Sequence, residues 1–369
     1  MKIPLMDVKA QHKPIQAEMG RAVKRVLDSC HFILGPEGDA FEKEYAKLHA
    51  AKHCLGVSSG THALHLALAA LQAGPGDEVI TTANSFIASS SCISYTGAKP
   101  VFADIDPVTL NIDPADVERR ITPRTRGIIV VHLFGYPADM DPLLAIARRH
   151  KLFVIEDSAQ AHLAEYKGRP IGALGDVGCF SFYPSKNLGA AGDAGAVTTN
   201  SDELLERMKV LRDLGRASGK RYEHVNEGFN YRLDELQAAI LRVKLKRLKA
   251  WTASRRKLAA LYRKQLAGLP VVLPPADKGG TKHSYHLYVI QAQDRDRLSQ
   301  HLHAAGISNG VYYPMPIPAQ PAYSKTGYRR GDFPVTEAVC AKALAIPIYE
   351  TMTPAQVRYV AGKIKEFYR

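Results

Sequence analysis

Two charged residues follow predicted buried strands, a position in which Asp and Lys side chains are seldom found because they are mostly exposed to solvent. Asp157 comes directly after LFVIE, residues 152–156, and Lys186 stands 29 residues later, between FSFY and the glycine-rich residues 189–197. A carboxylate in such a place is costly unless a positive group meets it. A lysine amine is an effective nucleophile toward carbonyls when burial and neighbouring charge lower its pKa. The pair suggests carbonyl chemistry, while a helix cap for Asp157 and an ion-paired or solvated Lys186 are the ordinary alternatives.

A third element is the segment VSSGTHALHLAL, residues 57–68, where a Ser-Ser-Gly-Thr turn opens a predicted helix. Free N–H groups and the dipole at a helix start favour an anion. Ser58 or Ser59 also serves as an ordinary N-cap, so the element alone is ambiguous. Together, the three elements match what pyridoxal phosphate requires: a Schiff-base lysine, an acid for the pyridinium nitrogen and a phosphate cradle. Competing phosphate motifs, GxxxxGK with Ser or Thr and GxGxxG after a strand, are absent from the sequence.

Short Val- and Ile-rich runs alternate with helical segments through the first two-thirds of the chain. The predicted strands are 77–82, 99–106, 127–134, 152–157, 175–183 and 195–200. A helix is predicted at 140–150, with Asp139 or Asp141 available as its cap. This alternation indicates a mainly parallel sheet covered on both faces. Ligands of such sheets collect beyond the carboxyl ends of the strands, where Asp157 is expected.

The C-terminal third has a different composition. Residues 242–266 hold ten Lys or Arg and no acid, within a chain of net charge +13. Leu241, Leu245 and Leu248 fall at helical spacing and predict an amphipathic helix with a basic outer face. The ordinary interpretation of this charge is a solvent-exposed helix face. The functional interpretation is a surface that binds nucleic acid or polyanionic small molecules. No RNA-binding or helix-turn-helix motif accompanies the helix, which argues against nucleic acid as the partner.

Two domains are expected: a large domain at 1–245, with an N-terminal helix leading in, and a small α+β domain at 246–369. The N-terminus has no apolar signal segment, and no apolar run is long enough to cross a membrane. Five scattered cysteines without a CxxC pair predict no metal site and reduced thiols in a cytoplasmic protein.

Residues 156–197 resemble the signature of the DegT/DnrJ/EryC1/StrS family, the pyridoxal-phosphate aminotransferases that act on nucleotide-linked keto sugars. Ordered matches continue through 32–37, 58–68, 76–89, 97–107, 132–141, 228–241 and 311–323. The resemblance implies an α/β fold of the type I, aspartate aminotransferase-like class. Its large domain would have a mainly parallel seven-stranded sheet, beside a smaller C-terminal α+β domain. It also implies a transaminase of the EC 2.6.1 class.

The resemblance assigns roles to individual residues. Lys186 would form the Schiff base with the cofactor, and Asp157 would hold its protonated pyridine nitrogen. Gln160 would lie near the phenolic oxygen, and Phe86 would stack on the ring, although plain core is the alternative for Phe86. The remaining cofactor-binding positions are Ser59, Gly60, Thr61 and Ser181, the last three at the phosphate. Asn230 would reach the cofactor phosphate of the partner subunit, which implies a homodimer with shared sites; its alternative is a turn residue.

The implied reaction is ping-pong transamination with L-glutamate as amino donor, in which Lys186 moves the proton as general acid and base. The sequence looks most like enzymes that aminate C3 of dTDP-3-keto-6-deoxyhexoses. UDP-3-keto or 4-keto sugars, a sugar dehydratase and a regulatory nucleic-acid-binding protein are the alternatives. The substrate-binding candidates are Tyr183, Lys220, Arg221, Tyr312 and Tyr313.

Two positions depart from the family pattern, in which glycine is usual at Ala194 and a small or acidic residue at His62. An alanine is tolerated at 194 unless the backbone there needs a positive φ. His62 either adds a positive group near phosphate or substrate, or points outward.

Overall fold

The computed structural model describes residues 1–217 and 219–369. Its strands are, in chain order, His53–Val57 (β1), Glu78–Thr82 (β2), Lys99–Ala103 (β3), Thr125–Val131 (β4), Phe153–Asp157 (β5), Glu165–Tyr166 (β6), Arg169–Pro170 (β7), Val177–Ser181 (β8), Gly195–Thr199 (β9), Val271–Val272 (β10), Tyr288–Ala292 (β11) and Ala343–Ile346 (β12). The α-helices are Val8–His12 (α1), Gln16–Ser29 (α2), Pro36–Leu48 (α3), Gly60–Ala70 (α4), Ala88–Tyr95 (α5), Pro114–Arg119 (α6), Met140–His150 (α7), Asp202–Arg212 (α8), Glu235–Leu266 (α9), Arg295–Ala304 (α10), Pro334–Lys342 (α11) and Pro354–Phe367 (α12).

The main sheet has seven strands in the order β1-β9-β8-β5-β4-β2-β3. Strand β9 is antiparallel to both of its neighbours, whereas the pairs within β8-β5-β4-β2-β3 are parallel. The prediction of a mainly parallel seven-stranded sheet is therefore confirmed. The six predicted strands are all present, each within a few residues of its predicted bounds.

Both faces of the sheet are buried, which explains why its strands are nearly continuous apolar runs. Alternate residues point to opposite faces. Ile129 and Ile155 pack in one core with helices α4, α5 and α8. Ile128 and Val154 pack in the other core with helices that include α7.

Helix α7 has the predicted bounds, but neither of the expected aspartates caps it. Asp139 occupies the N-cap position without a side-chain cap, and its carboxylate accepts a hydrogen bond from the Tyr166 hydroxyl. Asp141 forms ion pairs with Lys167 and Arg169, at 2.7 and 2.6 Å. Tertiary partners thus displace the local capping interaction.

The predicted basic helix is part of α9, a single helix of 32 residues. Leu241 and Leu248 are buried as expected, and Lys246, Lys249, Lys257 and Lys264 are exposed on the predicted basic outer face, but two of the ten basic residues do not lie on that face. Lys244 and Arg255 are 0% and 3% exposed. Arg255 pairs with Glu350 at 2.8 Å in the interior, because α9 is packed from several sides along its length.

A separate apolar core surrounds the C-terminal part of α9 and the three-stranded sheet β10-β11-β12. Ile3 joins this core, and its backbone N–H donates to the Gly306 carbonyl at 2.9 Å. A division of the chain into units 1–245 and 246–369 stays a proposal, with the boundary inside α9. Within the described residues, no helix combines the length and apolar character of a membrane span.

Candidate active site

Asp157 is the last residue of β5 and lies at the carboxyl end of the parallel strands. Its side chain is buried, and it accepts hydrogen bonds from Ser89 Oγ at 2.7 Å and from the Ala159 N–H at 3.2 Å. Burial raises the pKa of the carboxyl group, while the hydrogen bonds and the charge of Lys186 oppose this shift. Both hydrogen-bond donors are neutral, so the carboxylate retains the capacity to bind a cationic N–H.

Lys186 lies in the loop after β8, half-buried, and its backbone N–H donates to the Tyr183 carbonyl at 2.8 Å. Desolvation lowers the pKa of its amine to about 8, against the opposing charge of Asp157. An amine with this pKa is partly neutral near physiological pH and can act as a nucleophile. The ordinary alternative of a fully solvated lysine does not fit this position.

The start of α4 meets the end of β8. Ser59 is the N-cap of α4 and accepts from the His62 N–H at 3.1 Å, so the cap is Ser59 rather than Ser58. A Cβ atom added to Gly60 would lie only 2.6 Å from Ser181 Cβ, which requires glycine at this close approach. Thr61 follows in the first turn, half-buried. The predicted phosphate-binding residues therefore form one cluster at a helix N-terminus.

Gln160 connects the neighbourhood of Asp157 to the C-terminal third. Its Oε1 accepts from the Phe134 N–H at 2.7 Å, and its Nε2 donates to the Tyr313 hydroxyl at 3.2 Å. The Tyr313 ring lies 6.5 Å from the ring of Phe86, centroid to centroid. Phe86 is 56% exposed, so the plain core alternative is wrong for this residue.

The other substrate and dimer candidates lie at the surface. Asn230, Tyr183, Lys220 and Arg221 are exposed. Lys220 is 3.9 Å from Glu223, and Arg221 lies over the Tyr222 ring. Tyr312 is half-buried beside Tyr313. The structure thus joins Gln160, three residues after Asp157, to Tyr313 by a direct hydrogen bond, and among the described residues it shows no hydrogen bond or ion pair from Lys220 or Arg221 to either residue.

Of the two alternatives for His62, an outward-pointing ring does not match the structure. Its imidazole stacks on Tyr231, with ring centroids 3.8 Å apart, and its Nδ1 lies 2.7 Å from Ser58 Oγ. Burial lowers the pKa of His62, although Asp193 opposes the shift. Ala194 is buried and is not among the residues with positive φ, so alanine is compatible with its backbone.

Several residues around the site escaped sequence reasoning. Glu156 is fully buried and binds His132 at 3.1 Å and the N–H groups of Gly172, Leu174 and Gly175. Its position beside Asp157 was a usable signal, since consecutive acids of a buried strand point to opposite faces. Asn187 donates to the Ser284 carbonyl at 3.0 Å and anchors the Lys186 loop to the C-terminal third. Nothing in the local pattern marks Ser89 or Asn187.

Comparison with known protein families matches residues 13–365 to the DegT/DnrJ/EryC1/StrS aminotransferase family. The chain is 46% identical over 371 residues to the pleiotropic regulatory protein of Geobacillus stearothermophilus, covering 100% of this chain and 99% of that protein. It is 44% identical over 366 residues to the dTDP-3-amino-3,4,6-trideoxy-alpha-D-glucose transaminase of Streptomyces venezuelae, covering 99% of this chain and 96% of that protein.

Solved structures are similar over the same extent. DesV of S. venezuelae in complex with a ketimine intermediate has a TM-score of 0.97 at 44% identity, covering 100% of this chain and 99% of that one. The ntda protein of Bacillus subtilis with bound cofactor PMP has a TM-score of 0.91 at 32% identity, covering 100% of this chain and 86% of that one. The family and these neighbours imply pyridoxal phosphate as the cofactor. The chain belongs to the DegT/DnrJ/EryC1/StrS aminotransferase family.

Proposed function

We propose that this aminotransferase uses pyridoxal phosphate to transfer an amino group from L-glutamate to the C3 keto group of a nucleotide-linked 6-deoxy sugar, such as a dTDP-3-keto-6-deoxyhexose. The observation that carries the chemistry is the Lys186 amine, with its pKa lowered to about 8, near the buried carboxylate of Asp157. The sugar class is supported by the transaminase relative from S. venezuelae, which is named for a dTDP-amino sugar. UDP-3-keto and 4-keto sugars are the alternative substrates.

The residues present fit the cofactor. Gly60, the first residue of α4, lies so close to Ser181 that a side chain would not fit there, and the helix start therefore presents backbone groups. Ser59 and Thr61, on either side of Gly60 in the chain, add hydroxyl groups. Asp157 is buried and holds only neutral donors, which suits a ring nitrogen that carries a proton. The exposed ring of Phe86 offers an aromatic face for stacking. Gln160 Nε2 donates one hydrogen to the Tyr313 hydroxyl, and its second hydrogen is a donor for the phenolic oxygen of the cofactor.

When bound, pyridoxal phosphate supplies a carbonyl for Schiff-base formation and a ring that accepts electrons. Lys186 Nζ would bind that carbonyl and, once released, would take the proton from the α-carbon of the donor and return it as general acid. Asp157 would keep a proton on the ring nitrogen, because the buried anion is stabilised by a positive partner. Ser89 would orient the carboxylate through its 2.7 Å hydrogen bond to Oδ2.

The first test follows the cofactor and the amino group. Protein reconstituted with pyridoxal phosphate should show an absorbance band that borohydride removes by reducing the Schiff base. L-Glutamate should convert this band, and a panel of dTDP-, UDP- and GDP-keto sugars should restore it with formation of an amino sugar detected by mass spectrometry. A protein without the band, or one that converts none of the sugars, would contradict the proposal.

The proposed functional unit is a homodimer with shared active sites, in which Asn230 reaches the partner's cofactor phosphate. The exposure of Asn230 and the prevalence of twofold dimers support this arrangement. Mixing Lys186→Ala chains with Asn230→Asp chains should restore activity, because both changes can fall in one site of the heterodimer and leave the other intact. Absence of complementation, or an active monomer in sedimentation, would argue against shared sites.

Lys220 and Arg221 are the proposed source of a positive field for the substrate diphosphate, with Tyr183, Tyr312 and Tyr313 as further substrate contacts. We also propose the cytoplasm as the location of the enzyme, supported by the buried free thiols of Cys54, Cys92 and Cys179.

A further inference from the structure

A chain of two buried hydroxyl groups ends at the Asp157 carboxylate. Ser89 Oγ donates to Asp157 Oδ2 at 2.7 Å, and Ser85 Oγ lies 2.9 Å from Ser89 Oγ. Ser85 and Ser89 are 5% and 1% exposed, so both hydroxyls are shielded from bulk solvent. Ser85 lies between β2 and α5, and Ser89 lies in the first turn of α5. One short segment between a strand and a helix therefore supplies both groups.

The direction of the hydrogen bonds in this chain follows from its hydrogens. A hydroxyl group has one hydrogen to donate, and an ionised carboxylate only accepts. Because the hydrogen of Ser89 is used on Asp157, Ser85 must donate to the Ser89 oxygen. Successive hydrogen bonds polarise one another, so the bond from Ser85 strengthens the donor that Ser89 presents to the carboxylate. Ser85 thus acts on Asp157 through Ser89.

This donor chain opposes the effect of burial on Asp157. Burial raises the pKa of the carboxyl group, and among the groups that oppose this shift Ser89 has the largest effect. The other carboxylate oxygen, Oδ1, accepts from the Ala159 N–H at 3.2 Å. A hydrogen bond donated to the charged form of an acid favours that form. The two serines therefore favour the state in which Asp157 is an anion and a proton lies on its partner.

The adjacent serine of α5 shows that the connection is specific. Ser90 is 0% exposed, but its Oγ donates to the Ile87 carbonyl at 3.0 Å and accepts from the Tyr323 hydroxyl at 2.8 Å. Ser90 thus ties α5 to the C-terminal third of the chain, whereas Ser85 and Ser89 form the chain that ends at Asp157.

We propose that Ser85 is a positioning residue of the reaction, which through Ser89 keeps Asp157 ionised and the proton on the ring nitrogen of the cofactor, an inference that rests on the proposed function. A ring that carries this proton accepts electrons more readily than a neutral ring. Loss of either hydroxyl should slow removal of the proton from the amino donor. The affinity for the donor should stay the same, because both hydroxyls act through Asp157.

The other titratable groups around Asp157 come from four different segments. They are Lys186, His132, Cys92, Cys179 and Tyr313. Burial raises the pKa of both thiols and of the Tyr313 hydroxyl, so these three groups stay neutral between pH 5 and pH 9. His132 is the same in every variant described below, and its contribution cancels when the variants are compared.

The first measurement is the pH titration of the absorbance band of the bound cofactor, in the absence of donor. The nitrogen of Lys186, once bound to the cofactor, loses its proton at a lower pH when the ring is positive, because like charges repel. The midpoint of the titration should therefore move upward when the ring proton is held less well. We expect a shift of about 0.5 pH unit in Ser89→Ala and of about 0.2 pH unit in Ser85→Ala.

The second measurement is the single-turnover half-reaction with L-glutamate. Its rate should fall about tenfold in Ser89→Ala and about twofold in Ser85→Ala, with an unchanged dissociation constant for glutamate. The double variant Ser85→Ala/Ser89→Ala should match Ser89→Ala in rate and in titration midpoint, since Ser85 acts through Ser89. Ser90→Ala is the matched control, because it removes a buried hydroxyl of the same helix and should leave both quantities at their wild-type values.

A titration midpoint in Ser85→Ala equal to that of the wild type would overturn the proposal. So would a double variant whose effects add, because Ser85 would then act by another route, or a Ser90→Ala variant with the same shift as Ser85→Ala. Each of these outcomes, in a wild-type enzyme that reacts with glutamate, leaves the proposed function standing. A wild-type enzyme that does not react with glutamate or with any keto sugar means that the proposed function itself is wrong.

Discussion

Two lysines of this chain have nearly the same pKa and very different surroundings. Desolvation lowers the pKa of both Lys186 and Lys244 to about 8, and in each case one carboxylate, Asp157 or Glu350, opposes the shift. Lys244 is completely buried in α9, whereas Lys186 is half-buried in a loop. A lowered pKa by itself therefore does not identify a catalytic amine.

The hydrogen bonds of the two amines separate them. Lys244 Nζ donates to the Gly189 carbonyl and lies 2.9 Å from His12 Nε2. In the part of the chain that the structure describes, the Lys186 amine makes no hydrogen bond. The Lys244 amine stabilises the fold through its hydrogen bonds, whereas the Lys186 amine is available to bind a ligand. Gly189 lies three residues after Lys186, so Lys244 also holds the far end of the loop that carries Lys186.

The largest expected effect is that of Lys186→Ala. Loss of the amine removes both the covalent bond to the cofactor and the proton carrier, so turnover should fall by about 10³-fold or more. Steady-state formation of amino sugar measures this, and thermal unfolding should show that the fold is retained. Wild-type turnover in this variant would remove Lys186 from the mechanism.

A smaller loss is expected for Asp157→Asn. The amide keeps the shape but removes the charge that would hold the ring proton, which should lower kcat by about 10²-fold and weaken cofactor affinity. Ser89→Ala is the companion variant, because it removes only the neutral 2.7 Å donor and should lower kcat less. A kinetically silent Asp157→Asn would mean that the carboxylate serves structure alone.

For the second lysine, Lys244→Met should affect stability more than chemistry. It leaves the buried Gly189 carbonyl without its donor, which should lower the free energy of unfolding by about 1–3 kcal/mol. We expect kcat to fall by less than roughly tenfold, since the reactive amine remains. Lys246→Met, at an exposed position of the same helix, is the control and should change little in urea unfolding. If Lys244→Met instead eliminated turnover in a stably folded protein, the distinction between the lysines would be wrong.

The smallest effect concerns pH. The folded-state pKa of Lys244, about 8, is below the ordinary lysine pKa of 10.5, so between these pH values the unfolded chain binds more protons than the folded chain. The unfolding free energy of the wild type relative to Lys244→Met should therefore rise with pH across this window, by about 1 kcal/mol per pH unit. Urea unfolding of both proteins from pH 8 to pH 10 measures the difference. A difference that stays flat or falls would contradict the lowered pKa.

The residues of the candidate site were predictable where local pattern carries the information. Asp157 and Lys186 stand out because each follows a run of apolar strand residues. The start of α4 is marked by its Ser-Ser-Gly-Thr turn, and the cap is one of the two serines named from sequence. Roles toward cofactor, partner and substrate came from the family resemblance, and they stay proposals.

What the sequence by itself determined about this protein is the arrangement of strands and helices and the family to which it belongs. Both depend on short segments, in which hydrophobic period and turn residues act within a few positions. The parallel sheet then follows, because alternating strands and helices can bury both faces in few ways.

Only the tertiary structure decided which charged and polar residues are used, and for what. Ser89 meets Asp157 across 68 residues, and Lys244 meets Gly189 across 55, so no local periodicity could reveal either pair. The stacking of His62 on Tyr231 also joins residues that are distant in the chain, so it could not be predicted from local sequence either. A cavity lined by Arg295, Arg329 and Arg330 lies between α10, α11, residues 314–319 and residues 328–333. Such contacts are set by how elements pack, and packing brings together residues that are distant in the chain.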